Sequence, residues 1–235
     1  MNFLYRIDLA FFHAINSYTG ASATLDRVVG QVEALSLKGL VFIAVFGLLW
    51  FDQQRDQKRA RQTLLVVLLA IVLSLVVNRL VSSALPYRIR PMYAQGIGFH
   101  PSSFSFDAEL EGWSAFPSDT ATFMFAIAAG YWSLSRLWGA LFAAFSVITL
   151  LARVYLGVHW PADIVAGALL GIAGVMALTR CAPVNQLMLR VLAIEERSAG
   201  YFYAVLLPVP FETGILFTSV RRMAKALFHL LTGGY

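Results

Sequence analysis

The chain has 235 residues, 59% of them hydrophobic and 13% charged, with a mean hydropathy of +0.70. That balance excludes an ordinary soluble domain, and continuous, non-alternating apolar runs of about 20 residues exclude a β-barrel in favour of membrane-spanning helices. The net charge of +5 sits mostly in short loops beside the apolar spans, which reads as orientation signal and anionic-lipid contact and not as a nucleic-acid interface.

The single cysteine, Cys181, rules out an internal disulfide and a cysteine-based metal site. The opening MNFLYRIDLAFFHAINSYTG carries Arg6, Asp8 and His13 and lacks a long apolar core, so it predicts an amphipathic helix lying in the membrane interface and not a cleavable signal.

A first span is expected over about Leu37 to Phe51, beginning a turn or two earlier at most, and it runs into DQQRDQKRARQ, Asp52 to Gln62. Four basic residues assign that loop to the cytoplasm. The second span, about Thr63 to Ser82, then returns outward and ends on NRLVSSALPYRIRPMY, and a long polar stretch, Tyr87 to Phe116, follows. The third span runs inward from Pro117 to about Ser135, the fourth outward from about Ala140 to Val154, and the fifth from HWPADIVAG inward to Arg180. A cytoplasmic helix is expected over Asn185 to Ser198. The apolar segment Tyr201 to Val220 carries Pro208, Pro210 and Glu212, and it admits either a sixth span or a re-entrant path.

The expected architecture is therefore all-α. It is a polytopic membrane bundle forming one domain over 1–235, with five transmembrane helices, room for a sixth and an N-terminal interfacial helix. The core lies at about 63–180 and the C-terminal extension at 181–235. By parity, Arg90, Ser118, Arg153 and His159 converge at one membrane face.

That convergence directs attention to two stretches. In AFPSDTATF, Ala115 to Phe123, Ser118 caps a helix and Asp119 suits the positive end of its dipole, and the same free N–H groups can hold an anion. In LARVYLGVHWPADIVAG, Leu151 to Gly167, each charged residue has a structural explanation alone: Arg153 can snorkel, His159 can sit at the interface and Asp163 can complement a dipole. Together they form a different pattern. His159 and Asp163 stand four apart, so a helix starting near His159 brings the carboxylate beneath the ring, fixing one tautomer and freeing the other nitrogen to attack. Arg153, Arg90 and Arg88, with Ser118 and the helix N-terminus, suit the oxygens of a phosphate. Gly167 and Gly171 form a small-residue pair for close helix contact. Tyr87, Tyr93, Trp113, Tyr155 and Trp160 suit either an aromatic belt or core packing.

YRIRP, FPSDT and ARVYLGVHWPAD, in that order, resemble the three-part signature of the type 2 phosphatidic acid phosphatase superfamily, membrane lipid phosphatases related to vanadium haloperoxidases. The resemblance covers about Asn78 to Gly171. It implies a metal-independent hydrolase of lipid phosphates or diphosphates with no organic cofactor. His159 becomes phosphorylated, Asp163 orients it, Arg90, Ser118 and Arg153 hold the phosphate, and water releases it.

Three positions depart from the family pattern. Thr120 stands where the family has the histidine that protonates the leaving oxygen, with Asp119 at the preceding glycine. The replacement acid is sought in Asp119, in His100, or in Asp107, Glu109 or Glu111 of the long loop. Ser83 stands at the family's first lysine, and Arg79, one turn earlier, is the candidate to supply the charge. Ala152 replaces a serine.

Without a strong acid the site favours a good leaving group: a phosphate with a pKa of about 6 leaves more easily than a water-like oxygen of about 15.7. The expected substrate is accordingly a polyprenyl diphosphate such as the undecaprenyl carrier of the bacterial envelope, acted on at the periplasmic face of the inner membrane. The alternatives are a phosphotransferase with a diphosphate donor and a catalytically impaired binder of lipid head groups.

Overall fold

A computed structural model describes residues 3–52, 56–103, 110 and 112–214, and among these every regular element is helical. The N-terminal α1 (Phe3–Asn16), α2 (Ala23–Glu33) and α3 (Leu35–Phe51) are followed by the long α4 (Gln57–Ala84), and a 3₁₀ turn at Pro91–Tyr93 interrupts the polar stretch beyond it. Then come α5 (Asp119–Leu134), α6 (Arg136–Tyr155), α7 (Pro161–Arg180), α8 (Ala182–Arg197), α9 (Ala199–Leu206) and α10 (Pro208–Gly214).

Helix α4 starts inside the basic run, six residues earlier than the hydropathy placed its span. Asp56 caps it by accepting from the Arg59 N–H at 3.1 Å, and Lys and Arg propagate a helix as readily as Leu does.

Three helices, α4, α6 and α7, are long and apolar enough to cross a membrane, and a fourth crossing is available if α2 and Leu37–Phe51, bent by 46°, act as one span. The expected third span is the short exception. Helix α5 has 16 residues, about 24 Å at 1.5 Å per residue, against a hydrocarbon core of about 30 Å. It is also the most enclosed helix, packed against α4, α6 and α7, with Phe123, Met124, Ile127 and Tyr131 buried among Leu64, Val67, Ile71 and Phe42. Its flanks therefore meet protein instead of lipid, and it need not match the bilayer thickness by itself. The lipid-like surface lies elsewhere, on exposed residues such as Leu73 and Val76 of α4, Val147 and Ile148 of α6, and Val165 and Leu169 of α7.

Small residues set how closely α7 approaches α5. A Cβ on Gly167 would lie 2.2 Å from the Ser118 carbonyl oxygen, and one on Gly171 would lie 2.2 Å from that of Thr122. Ser135 joins α5 to α6 with a single residue. The described part of the expected sixth segment is two short helices, α9 and α10, that break at Leu207 ahead of Pro208; Pro lacks the N–H that would continue the helix. Residues 215–235 lie outside the described chain.

Candidate active site

The site forms where the C-terminal ends of α4 and α6 meet the starts of α5 and α7. Ser118 caps α5, its hydroxyl accepting from the Ala121 N–H at 3.3 Å, while its own N–H donates to the Asp163 carbonyl at 3.0 Å. After α6 the chain turns sharply through Gly157, whose φ of +72° and contact with the Phe99 ring exclude a side chain: a Cβ there would lie 2.4 Å from a ring carbon. The N–H groups of Val158 and His159 both reach back to the Arg153 carbonyl, at 2.9 and 3.4 Å, so arginine and histidine are locked on one turn. Pro161 then starts α7, and Asp163 caps it by accepting from the Trp160 N–H at 2.8 Å.

His159 is 1% exposed and its two ring nitrogens have different surroundings. Nδ1 lies 2.9 Å from the Ala115 carbonyl oxygen, an acceptor only, so Nδ1 carries the hydrogen. Asp163 Oδ2 stands 3.5 Å from the same nitrogen, behind that hydrogen bond. The primary orienting partner is thus a backbone carbonyl that the i, i+4 spacing does not reveal, with the carboxylate adding its charge. Nε2 carries the lone pair and faces two guanidinium groups, Arg153 Nη2 at 3.3 Å and Arg90 Nη1 at 3.4 Å. Arg90 is steadied by the carbonyls of Val158 at 2.9 Å and Ser114 at 3.4 Å. Both arginines are buried, and the Nε of each has no hydrogen-bond partner among the described residues.

Burial, followed by the charges of Arg153 and Arg90, holds the His159 pKa well below its ordinary value of 6.5. The unfolded chain then binds a proton below about pH 6.5 that the folded chain refuses. The neutral ring's contribution to stability is complete above that pH and lost as pH falls. Comparing urea or detergent unfolding of the wild type with that of His159→Gln should show an extra acid-side slope in the wild type. Its expected size is about 1.4 kcal/mol per pH unit.

The other expected phosphate ligands are placed differently. Arg88 donates to Asp163 Oδ1 at 2.6 Å and pairs with Asp8 of α1. Arg79 pairs with Asp119 at 2.6 Å and lies over the Trp113 ring at 4.6 Å. Each of these arginines already has a carboxylate partner, as Arg153 has in Glu33, and neither contacts His159. Asp119 also accepts from the Thr120 N–H at 2.8 Å, and Thr120 is buried in the first turn of α5. Ser83 is exposed and donates to the Arg79 carbonyl on its own helix. His100 is exposed, with its backbone tied to Asn16. Asp107, Glu109 and Glu111 lie outside the described residues. Among the described residues no three His, Cys, Asp or Glu side chains cluster as a metal site would need.

Of the aromatic residues that suit either a belt or core packing, Tyr155 and Trp160 are core elements. Tyr155 donates to Asp26 Oδ1 at 2.6 Å, and Trp160 donates to the Ile89 carbonyl at 2.9 Å. The N-terminal segment brings further residues to the site that sequence reasoning missed. Asp8 accepts from the Ala162 N–H at 2.8 Å and pairs with Arg88, and Glu33 pairs with Arg153. Glu33 also pairs with Lys38 at 2.9 Å. A lysine inside an otherwise apolar run was the available signal for that pair.

The family model described as the PAP2 superfamily matches residues 63–187, more than half of the chain. The putative undecaprenyl-diphosphatase YbjG of Escherichia coli (strain K12) is 42% identical over 64 residues, which is 27% of this chain and 32% of that protein. The alignment therefore spans only about a third of that relative. The crystal structure of the first transmembrane PAP2-type phosphatidylglycerolphosphate phosphatase, from Bacillus subtilis, superposes with a TM-score of 0.51 at 19% identity, covering 76% of this chain and 86% of that one, a likeness of fold. With Arg90, Ser118, Arg153, His159 and Asp163 all falling inside the matched span, the chain belongs to the PAP2 superfamily, the type 2 phosphatidic acid phosphatases.

Proposed function

We propose that this protein is a membrane lipid phosphatase that removes the terminal phosphate of a lipid diphosphate, a polyprenyl diphosphate of the undecaprenyl type, through a phosphohistidine. The observation that carries the reading is the lone pair of His159 Nε2, fixed by the Nδ1 hydrogen bond to Ala115 and flanked by two buried guanidinium groups.

Nε2 attacks the terminal phosphorus. A nitrogen–phosphorus bond forms, the bridging phosphorus–oxygen bond breaks, and its electron pair leaves on the lipid phosphate. Water then attacks the phosphohistidine, returning the electron pair to Nε2 and releasing inorganic phosphate. Arg90 and Arg153 hold the oxygens as charge develops, and the Ser118 hydroxyl hydrogen and the start of α5 donate to them.

Thr120 cannot deliver a proton near neutral pH, which a phosphate leaving group with a pKa of about 6 does not require. We further take α3 to α7 as five crossings that set the site at the periplasmic face of a bacterial inner membrane, opposite the Asp52 to Gln62 loop.

The test is phosphate release by detergent-purified protein from a polyprenyl diphosphate, phosphatidic acid and phosphatidylglycerol phosphate. A kcat/KM at least about tenfold higher for the diphosphate is expected, about 1.4 kcal/mol of transition-state discrimination. Equal rates on phosphatidylglycerol phosphate would refute the leaving-group argument. A phosphotransferase shares the first half of this reaction, and it would show label on His159 without phosphate release.

A further inference from the structure

We infer that Lys38 of α3 is a phosphate-binding residue of this site, that it holds the second phosphate of a diphosphate, and that Glu33 is the carboxylate that occupies the pocket's cations until substrate arrives. This rests on the phosphatase reading above and specifies what makes the site select a diphosphate.

The first observation concerns burial. Lys38 is 1% exposed although it begins an apolar membrane-type helix, where an ammonium group is costly unless it is paired or serves a ligand. Its partner is Glu33, across the break at Ala34: Nζ lies 2.9 Å from Oε1 and also donates to the Glu33 carbonyl oxygen. The same Oε1 accepts from Arg153 Nη1, and Arg153 Nη2 stands 3.3 Å from His159 Nε2. An unbroken chain of contacts therefore leads from Lys38 through Glu33 and Arg153 to the nucleophile. Lys38 also interacts electrostatically with Arg153 and Asp119.

The second observation concerns charge. Arg153 and Lys38 are buried with Glu33 as the carboxylate they share, Arg90 is buried beside them against the Val158 and Ser114 carbonyls and His159, and the nearby Asp119 and Asp163 pair with Arg79 and with Arg88, which Asp8 also holds. The five cations Lys38, Arg79, Arg88, Arg90 and Arg153 exceed the four carboxylates Asp8, Glu33, Asp119 and Asp163 by one, and displacement of Glu33 by a substrate would free further positive charge for a phosphate anion to balance.

The third concerns the gap in the motifs. The family's first lysine is the exposed Ser83 here, and Arg79 is engaged by Asp119. Lys38 is the buried cation that contacts the cluster from another direction. It lies one ion pair farther from Nε2 than Arg153 does. When Nε2 meets the terminal phosphorus, Arg153 reaches that phosphoryl group and Lys38 reaches the neighbouring phosphate, where it neutralises the charge that departs with the leaving group. Substrate oxygens would displace Glu33 from the Arg153 Nη1 edge.

The test combines turnover with binding. Lys38→Met should lower kcat/KM for a polyprenyl diphosphate about 30-fold, the scale of one charge-assisted hydrogen bond. Its effect on 4-nitrophenyl phosphate, which has one phosphate and a good leaving group, should be markedly smaller, and Lys38→Arg should restore part of the diphosphate rate.

Calorimetric binding of methylenediphosphonate and of inorganic phosphate provides a readout that does not depend on turnover. Lys38→Met should remove the preference for the diphosphonate, and Glu33→Gln should tighten diphosphonate binding by about fivefold or more because the competing charge is gone. Equal losses on both substrates in Lys38→Met, or weaker diphosphonate binding in Glu33→Gln, would overturn the assignment while leaving the phosphatase reading intact. If the wild type releases no phosphate from any substrate, the phosphatase reading falls, and the binding preference still decides the role of Lys38.

Discussion

Replacing His159 by alanine is expected to lower phosphate release from a lipid diphosphate by about 10⁴-fold or more, the scale seen when a covalent nucleophile is removed. The magnitude follows from the geometry. The described contacts of Arg90 and Arg153 converge on Nε2, and the Nδ1 hydrogen bond presents that lone pair in one tautomer. Water entering the vacated space would meet the same guanidinium groups, so a residual rate from electrostatic stabilisation should persist. The side chain is nearly fully buried, so alanine also leaves a small cavity and an unpaired Ala115 carbonyl, together about 1–3 kcal/mol of stability. A melting curve separates this from catalysis: a variant that unfolds at a similar temperature and yet is inactive lost its nucleophile. Rapid quenching of wild-type protein with a terminally labelled diphosphate should trap an acid-labile, base-stable label that is missing from the variant. If His159→Ala kept more than a tenth of the wild-type rate, histidine attack would be the wrong mechanism.

Arg153→Met should cost about 10³-fold in kcat, with a smaller rise in KM, because a donor aimed at developing charge matters more in the transition state than in the ground state. Arg153 is the one described residue that touches both Nε2 and Glu33, so its two ends join His159 to the N-terminal helices. Arg153→Lys should recover little, since one ammonium on a flexible stem cannot reproduce two donors held apart by a planar fork. Methionine conserves most of the buried volume, so packing should survive, and Glu33 keeps Lys38 as a partner. Retention of kcat with only a raised KM would reduce Arg153 to a residue that binds ground state and transition state alike.

These predictions draw on local and distant information to different degrees. The arginine, histidine and aspartate of ARVYLGVHWPAD lie within eleven residues, and backbone geometry alone brings them together: a helix end, one glycine turn and a proline-started helix. Their convergence with Arg90 and Ser118 followed from counting apolar runs, because each crossing inverts the side on which its end emerges. The same counting placed α5 but did not reveal that its 16 residues are sheltered by three neighbouring helices, since hydropathy measures apolarity and does not say whether lipid or protein will cover it. Trp160 and Tyr155, which suited either an interfacial belt or core packing, take the second role, their polar tips finding buried acceptors in Ile89 and Asp26.

What this sequence determined by itself was the helical membrane class and the segment that sets Arg153, His159 and Asp163 side by side, because hydrophobic run length, proline and glycine placement and i, i+4 spacing are local properties. Only the tertiary structure decided which carboxylate each arginine meets and which arginines face His159. It turned Arg88 to Asp163 and Asp8, Arg79 to Asp119, and brought Glu33, which also holds Lys38, against Arg153 from more than a hundred residues away. A buried charge must find its counter-charge wherever the packed chain supplies one, and that choice is made between helices whose neighbours sequence spacing does not encode.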